Sequence, residues 1–264
     1  MKGSMNFQTL VYHRVCADEE WYPSPYVVTQ SVFRLQMRYL SESGFYTPGL
    51  SAILQGAAMD RRDGKMPFLL TLDDGYLDNY SKAFPVLREF GFTATIFLVA
   101  DFSRRYNWWD IPDGTPRAEL LQRGHIDEMA RAGIEFGSHT VNHPRLPDLS
   151  HRDLQDELVR SRAIIEDMVC RPVVTLAFPY SASNAMVKNA VREAGYACAF
   201  AVNTGPLAIW SDLFEIRRLN VDNRTRVAGL RAKMNGAEKA LLWAWWRGTS
   251  ALRQLQQPSE SPSS

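Results

Sequence analysis

Seven short apolar runs punctuate this chain, and they are continuous rather than alternating. They are Thr9–His13, Phe68–Asp73, Thr93–Val99, Ile134–Ser138, Val173–Phe178, Cys198–Val202 and Glu215–Val221. A strand that is apolar on both faces must be covered on both faces, as happens when helices flank a parallel sheet. The stretches between them carry helical periodicity at Ser31–Ser43, Asn79–Phe90, His125–Ala132, Arg152–Met168 and Asn184–Ala194. Ser150 precedes the fourth stretch, and Gly91, Gly133 and Gly195 follow others, as expected of residues that start and stop helices. Repeated strand–helix units predict a parallel α/β sheet, and the closed solution for about seven strands is a barrel. A chain of 264 residues, 45% hydrophobic, suffices for one such barrel.

Charge and cysteine content narrow the function classes. Thirty Lys and Arg against 29 Asp and Glu leave a net charge of +1, without the basic excess of a nucleic-acid binder, so no nucleic-acid partner is expected. The three cysteines, Cys16, Cys170 and Cys198, are far apart and form no Cys-x-x-Cys, which reads as buried reduced thiols. The first residues lack the ~7–15-residue apolar core of an export signal. No run approaches the ~18–20 apolar residues of a membrane span, and the expected location is cytoplasmic.

Three segments frame the domain organisation. Residues 1–225 read as the barrel domain. Residues 226–257 form a basic, Trp-rich helical segment containing Trp243, Trp245 and Trp246, and 258–264 is a polar Pro/Ser-rich tail. Tryptophans with basic residues on a helix suit a last helix packed on the barrel, a dimer contact, or an interfacial contact at the inner face of the membrane. The stretch Asp101–Arg123, with Trp108 and Trp109, reads as a long loop that either lines a site or merely packs on the barrel.

Two motifs stand directly after predicted strands, where parallel α/β folds gather catalytic groups. In Thr71-Leu72-Asp73-Asp74-Gly75-Tyr76 two carboxylates are adjacent. Such neighbours repel unless a proton or a cation intervenes, and a cation on one leaves the other free as a base. The bland alternative is a pair of solvated turn residues. In His139-Thr140-Val141-Asn142-His143 two histidines four apart can converge on one borderline cation, or stand as ordinary loop residues.

Taken together and in this order, the motifs resemble those of the polysaccharide deacetylase family (NodB homology, carbohydrate esterase family 4), over roughly Gln8 to Asn223. The resemblance implies a distorted (β/α)7 barrel, with Asp74, His139 and His143 as metal ligands and Asp73 as general base. It implies a divalent cation, Zn2+ first, with Co2+ or Ni2+ as alternatives. The family's first motif is matched except at Leu72. Its third, Arg-x-Pro-Tyr/Phe-Gly, reads Ala177-Phe178-Pro179-Tyr180-Ser181 here. Tyr180 is thereby retained as an oxyanion-stabilising N–H donor, while the arginine position is Ala177. Arg218 can substitute through space, although a surface or ion-paired arginine is the favoured reading. The family's late histidine acid has no counterpart, because no histidine follows His151. His13, in a Tyr-His pair resembling the branch that acts on poly-N-acetylglucosamine, is the candidate acid.

The expected function is metal-dependent removal of an N-acetyl or N-formyl group from an amino sugar in bacterial glycan or exopolysaccharide biosynthesis. The expected partner is an acylated amino sugar or glycan, nucleotide- or lipid-linked if the reaction is cytoplasmic. Two alternatives stand: an O-acetyl esterase, whose alkoxide leaves with less need for an acid, and a non-catalytic glycan-binding relative that keeps the metal.

Overall fold

A computed structural model describes residues 8–55, 63–202 and 212–235. Its centre is a closed barrel of seven parallel strands: β1 (Gln8–Tyr12), β5 (Met66–Leu72), β6 (Thr95–Leu98), β7 (Glu135–Ser138), β8 (Thr175–Ala177), β9 (Cys198–Val202) and β10 (Ile216–Asn220). Each strand pairs with the next, and β1 closes the ring by lying between β5 and β10. All seven fall within a residue or two of the runs read from the sequence, so the expected (β/α)7 barrel is the fold observed.

The strands bury both faces, and their parity sorts the side chains. On β5, Phe68, Leu70 and Leu72 belong to the large cluster packed under the helices. Leu69 points the other way, joining Phe97, Ala177, Cys198, Phe200 and Ile216 in a smaller cluster. Two-residue periodicity therefore carries Thr71 and then Asp73 along the inward side of β5.

The outer layer holds α1 (Gln30–Glu42), α2 (Leu50–Leu54), α3 (Phe84–Phe90), α4 (Arg123–Arg131), α5 (His151–Val169), α6 (Ala185–Glu193) and α7 (Val227–Met234). Side-chain caps start three of them: Thr29 accepts from Val32 N–H, Ser150 from Asp153 N–H and Asn184 from Val187 N–H. On α1 the buried residues Phe33, Gln36, Met37 and Leu40 give the expected apolar stripe. On α7, Leu230 and Met234 join the main core.

Several features differ from the sequence reading. A two-stranded parallel sheet, β2 (Arg14–Cys16) with β3 (Val27–Thr29), and the two-residue β4 (Phe45–Tyr46) were not anticipated, because runs this short carry no periodicity. The predicted helix Asn79–Phe90 begins as a wider π-helical turn over Asn79–Ala83. Cys16 and Cys198 are buried as expected, but Cys170 is exposed: it occupies the left-handed residue ending α5. No helix among the described residues is long and apolar enough to cross a membrane. The Trp-rich stretch 241–247 and the tail 258–264 lie outside the described residues.

Candidate active site

The ends of β1, β5, β7 and β8 and the long loop after β6 enclose a cleft of about 610 Å3 at one mouth of the barrel. Both sequence motifs empty into it. Asp74 takes a left-handed conformation (φ 73°), and Gly75 follows in the same region, where a Cβ would stand 2.7 Å from Leu98 Cδ2. Glycine takes this conformation without strain and leaves the Leu98 side chain its room. The reversal lets two consecutive carboxylates, 2% and 6% exposed, serve the same cleft.

The histidine motif bends twice into left-handed backbone, at Thr140 and His143. His143 N–H donates to Thr140 Oγ1 (3.0 Å). Glu157, a carboxylate on the buried stripe of α5, accepts from Val141 N–H (2.8 Å), Asn142 N–H (3.0 Å) and Asn142 Nδ2 (2.6 Å). A strained loop persists only where its surroundings over-determine it, and here Glu157 and Thr140 do so. Sequence reasoning missed Glu157; an acidic residue in register with Leu154 and Leu158 was the available signal.

Asp74 Oδ1 lies 3.5 Å from His139 Nε2 and 3.4 Å from His143 Nε2. Ligand atoms bound at ~2.0–2.1 Å in a tetrahedral set stand about 3.3 Å apart, so these separations suit one cation of zinc size. The donor set passes further tests. Asp74 Oδ1 is buried without a hydrogen-bond partner. Burial and the Asp73 and Asp110 charges push the Asp74 carboxyl well above its usual range, a penalty that a cation removes. Burial holds both imidazoles toward the neutral form that ligates. His139 Nδ1 faces the Ala177 carbonyl at 2.8 Å, which assigns its proton to Nδ1 and frees Nε2. His143 is fixed by ring contacts instead, stacked on Trp109 (4.9 Å) and edge-on to Tyr180 (4.6 Å).

Asp73 is held differently. Arg218, fully buried inside the barrel, forks onto it with Nη1–Oδ1 at 2.6 Å and Nη2–Oδ2 at 2.7 Å, and Nη1 also reaches Thr71 Oγ1 at 3.2 Å. The guanidinium lies against the Phe97 and Phe200 rings. Burial acts to raise the Asp73 carboxyl, but Arg218 and the neighbouring histidines outweigh it and hold it down to about 2. The arginine absent at Ala177 is thus supplied by β10. The surface reading of Arg218 gives way: it is ion-paired, but buried, and its partner is Asp73 in the cleft. Ala177 contributes its carbonyl, which any side chain would leave in place.

His13 is the first residue beyond the β1 ladder, with Nε2 3.9 Å from Asp73 Oδ2 and its ring against Tyr26 (4.8 Å). Burial pulls its imidazole down to about 4, against the Asp73 charge. Tyr180 and Ser181 both adopt left-handed backbone, and the Tyr180 N–H donates to no backbone carbonyl among the described residues. The loop Asp101–Arg123 does line the site, through Asp110, Asp113 and Thr115. The structure therefore brings Asp73, Asp74, His13, His139, His143 and Tyr180 into one cleft.

Barrel, mouth and donor set define a class: a parallel α/β barrel whose strand ends present a carboxylate–imidazole cation site beside a second, arginine-held carboxylate. Comparison with known proteins narrows this. The sequence profile described as Polysaccharide deacetylase matches residues 60–199, and the chain belongs to that family. YxkH of Bacillus subtilis is 25% identical over 194 residues, covering 74% of this chain and 65% of the relative. The poly-β-1,6-N-acetyl-D-glucosamine N-deacetylase of Staphylococcus epidermidis is 24% identical over 212 residues, covering 75% and 69%. The chain thus spans about two thirds of these relatives' lengths. Among solved structures, the Streptococcus pyogenes deacetylase PplD superposes with a TM-score of 0.73 at 21% identity, covering 86% of this chain and 97% of that one. His13 and Arg218 fall outside the span that the profile matches.

Proposed function

We propose that this protein is a cation-dependent deacetylase that hydrolyses the N-acetyl group of an amino sugar within a glycan. The observation that carries this reading is the pairing of two adjacent carboxylates with different partners: Asp74 faces two imidazoles, and Asp73 faces an arginine. A purely structural carboxylate pair needs no such division. The staphylococcal relative's name supplies the substrate class we favour, a β-1,6-linked N-acetylglucosamine polymer.

Asp74, His139 and His143 would hold the cation, which when bound supplies Lewis acidity toward a water and an acyl oxygen. The chain's own groups do the rest. Asp73, kept ionised by Arg218, accepts the proton of the attacking water, each oxygen retaining a lone pair beyond the arginine fork. The Tyr180 N–H supports the developing oxyanion. The amine leaves with a proton, and His13, 3.9 Å from Asp73, is placed to pass on the one the water released. Water thus delivers its hydroxyl to the acyl carbon and its proton to the nitrogen. The relay does not require an imidazolium in the resting site, which suits a His13 pulled down to about 4.

The test loads the full chain with Zn2+ and follows acetate release from a β-1,6-linked N-acetylglucosamine pentamer and from 4-methylumbelliferyl acetate. The loaded protein turns over the pentamer; a chelated sample and Asp73→Asn do not, the variant still binding zinc stoichiometrically. Ester turnover without amide turnover would move the assignment to an O-acetyl esterase. Glycan binding unaffected by Asp73→Asn, with no turnover of either substrate, would make the protein a binding relative.

A further inference from the structure

The turn that follows Asp73 and Asp74 carries two more side chains whose polar atoms reach the neighbouring strand. Asn79 is fully buried, and its Nδ2 donates to the His13 carbonyl at 2.8 Å. Asp78 accepts from Val15 N–H through Oδ1 (3.1 Å) and from Arg14 Nε through Oδ2 (2.9 Å). Three consecutive residues after β1 are therefore gripped from one place. The grip continues that of Asp73, whose own N–H donates to Tyr12 O at 3.0 Å.

The barrel does not need this grip to seat β1. Parallel pairing with β5 already fixes Gln8–Tyr12, and β10 pairs from the other side. The ladder ends at Tyr12, and the next residue is His13. Asn79 also opens the wide π-helical turn over Asn79–Ala83, a distortion that recurs at functional sites.

We propose that Asp78 and Asn79 are positioning residues for His13, holding its backbone so that Nε2 stays between Asp73 Oδ2 and the leaving nitrogen. The inference rests on the role given to His13 above. The step it serves moves one proton from Asp73 to His13 Nε2 and on to the nitrogen as the C–N bond breaks, with no change of oxidation state. A misplacement of about 1 Å in such a group costs on the order of a hundredfold in rate.

The leaving group separates positioning from general structural damage. An amine leaves only with a proton, whereas the phenolate of 4-methylumbelliferyl acetate leaves without one. Asn79→Leu removes the donor at similar volume, and Asp78→Asn keeps the shape while giving up one acceptor. On the N-acetylglucosamine pentamer each variant lowers kcat by about 10- to 100-fold with KM and zinc stoichiometry unchanged. On the aryl acetate each stays within about threefold of the unaltered protein. Added to His13→Ala, either substitution changes amide turnover by less than about twofold, since the group being positioned is gone.

Equal losses on both substrates, or losses that add to that of His13→Ala, would overturn the proposal and make the pair structural. Should Asn79→Leu fail to fold, Asp78→Asn decides by the same readings. Full amide turnover by His13→Ala sinks the His13 role itself. A crippled His13→Ala beside unaffected Asp78 and Asn79 variants sinks only the inference made here.

Discussion

Arg218 reaches from β10 through the barrel interior to Thr71 and Asp73 at the end of β5. It is fully buried, and its charge is matched by Asp73 through both terminal nitrogens. Removing one partner of a buried ion pair strands the other charge at a cost of about 3–5 kcal/mol. Arg218→Met is therefore expected to lower the unfolding free energy by that order in urea denaturation at neutral pH. An unchanged midpoint would show that Asp73 needs no compensation from β10. Arg218→Lys keeps the charge and loses the planar fork, so it is expected to fold and to bind zinc while kcat falls by on the order of tenfold or more. Asp73, Asp74, His139 and His143 were legible in the sequence because each pair is local and ends a strand. Arg218 was raised from sequence but not favoured, because 145 residues separate it from Asp73 and only the closed barrel makes them neighbours. The clue was the side on which it falls: Arg218 shares its strand's parity with Ile216, which faces the barrel interior.

Elements position these residues through small numbers of contacts. The loop from His139 to His143 departs from β7 in a conformation that non-glycine residues seldom adopt, and Glu157 on α5 is its main tether. Glu157→Gln replaces an acceptor with an amide that must turn a donor toward Asn142. Zinc affinity is expected to fall about 10- to 100-fold, the usual effect of disturbing the groups behind metal ligands. Competition with a chromogenic chelator measures this, and an unchanged affinity would assign Glu157 to packing alone. On β7 itself, a Cβ on Gly137 would stand 2.5 Å from Phe97 Cε1 and 2.7 Å from Thr175 Oγ1. Gly137→Ala is expected to destabilise by about 1–3 kcal/mol, as overpacking does. Strands such as β5, β6 and β9 were readable because burial on both faces leaves nearly continuous apolar runs. The β2–β3 sheet was not, since three residues cannot display a period.

For the whole molecule, closure rests on one pairing of strands far apart in the chain. Strand order round the barrel follows the chain, and the ring closes where β10, its last strand, pairs with β1, a contact between distant segments that no local pattern encodes. Packing of the whole fold also decides which thiols meet solvent. Burial pushes Cys16 up to about 11 and Cys198 up to about 12, while Cys170 is exposed. At pH 8 a maleimide is expected to label one thiol in the folded protein and three in denaturant. Rapid labelling of all three without denaturant would contradict the burial of Cys16 and Cys198.

Seven non-glycine residues among those described hold left-handed backbone; four of them, Asp74, His143, Tyr180 and Ser181, line the cleft, and a fifth, Thr140, lies in the loop that carries His143 to it. Such conformations cost of order 1–3 kcal/mol each. A laboratory selecting this chain for heat resistance would find easy gains at these five positions, where glycine or asparagine relaxes the backbone. Survivors of that selection would melt later and catalyse worse, because the same bends that weaken the fold aim its side chains.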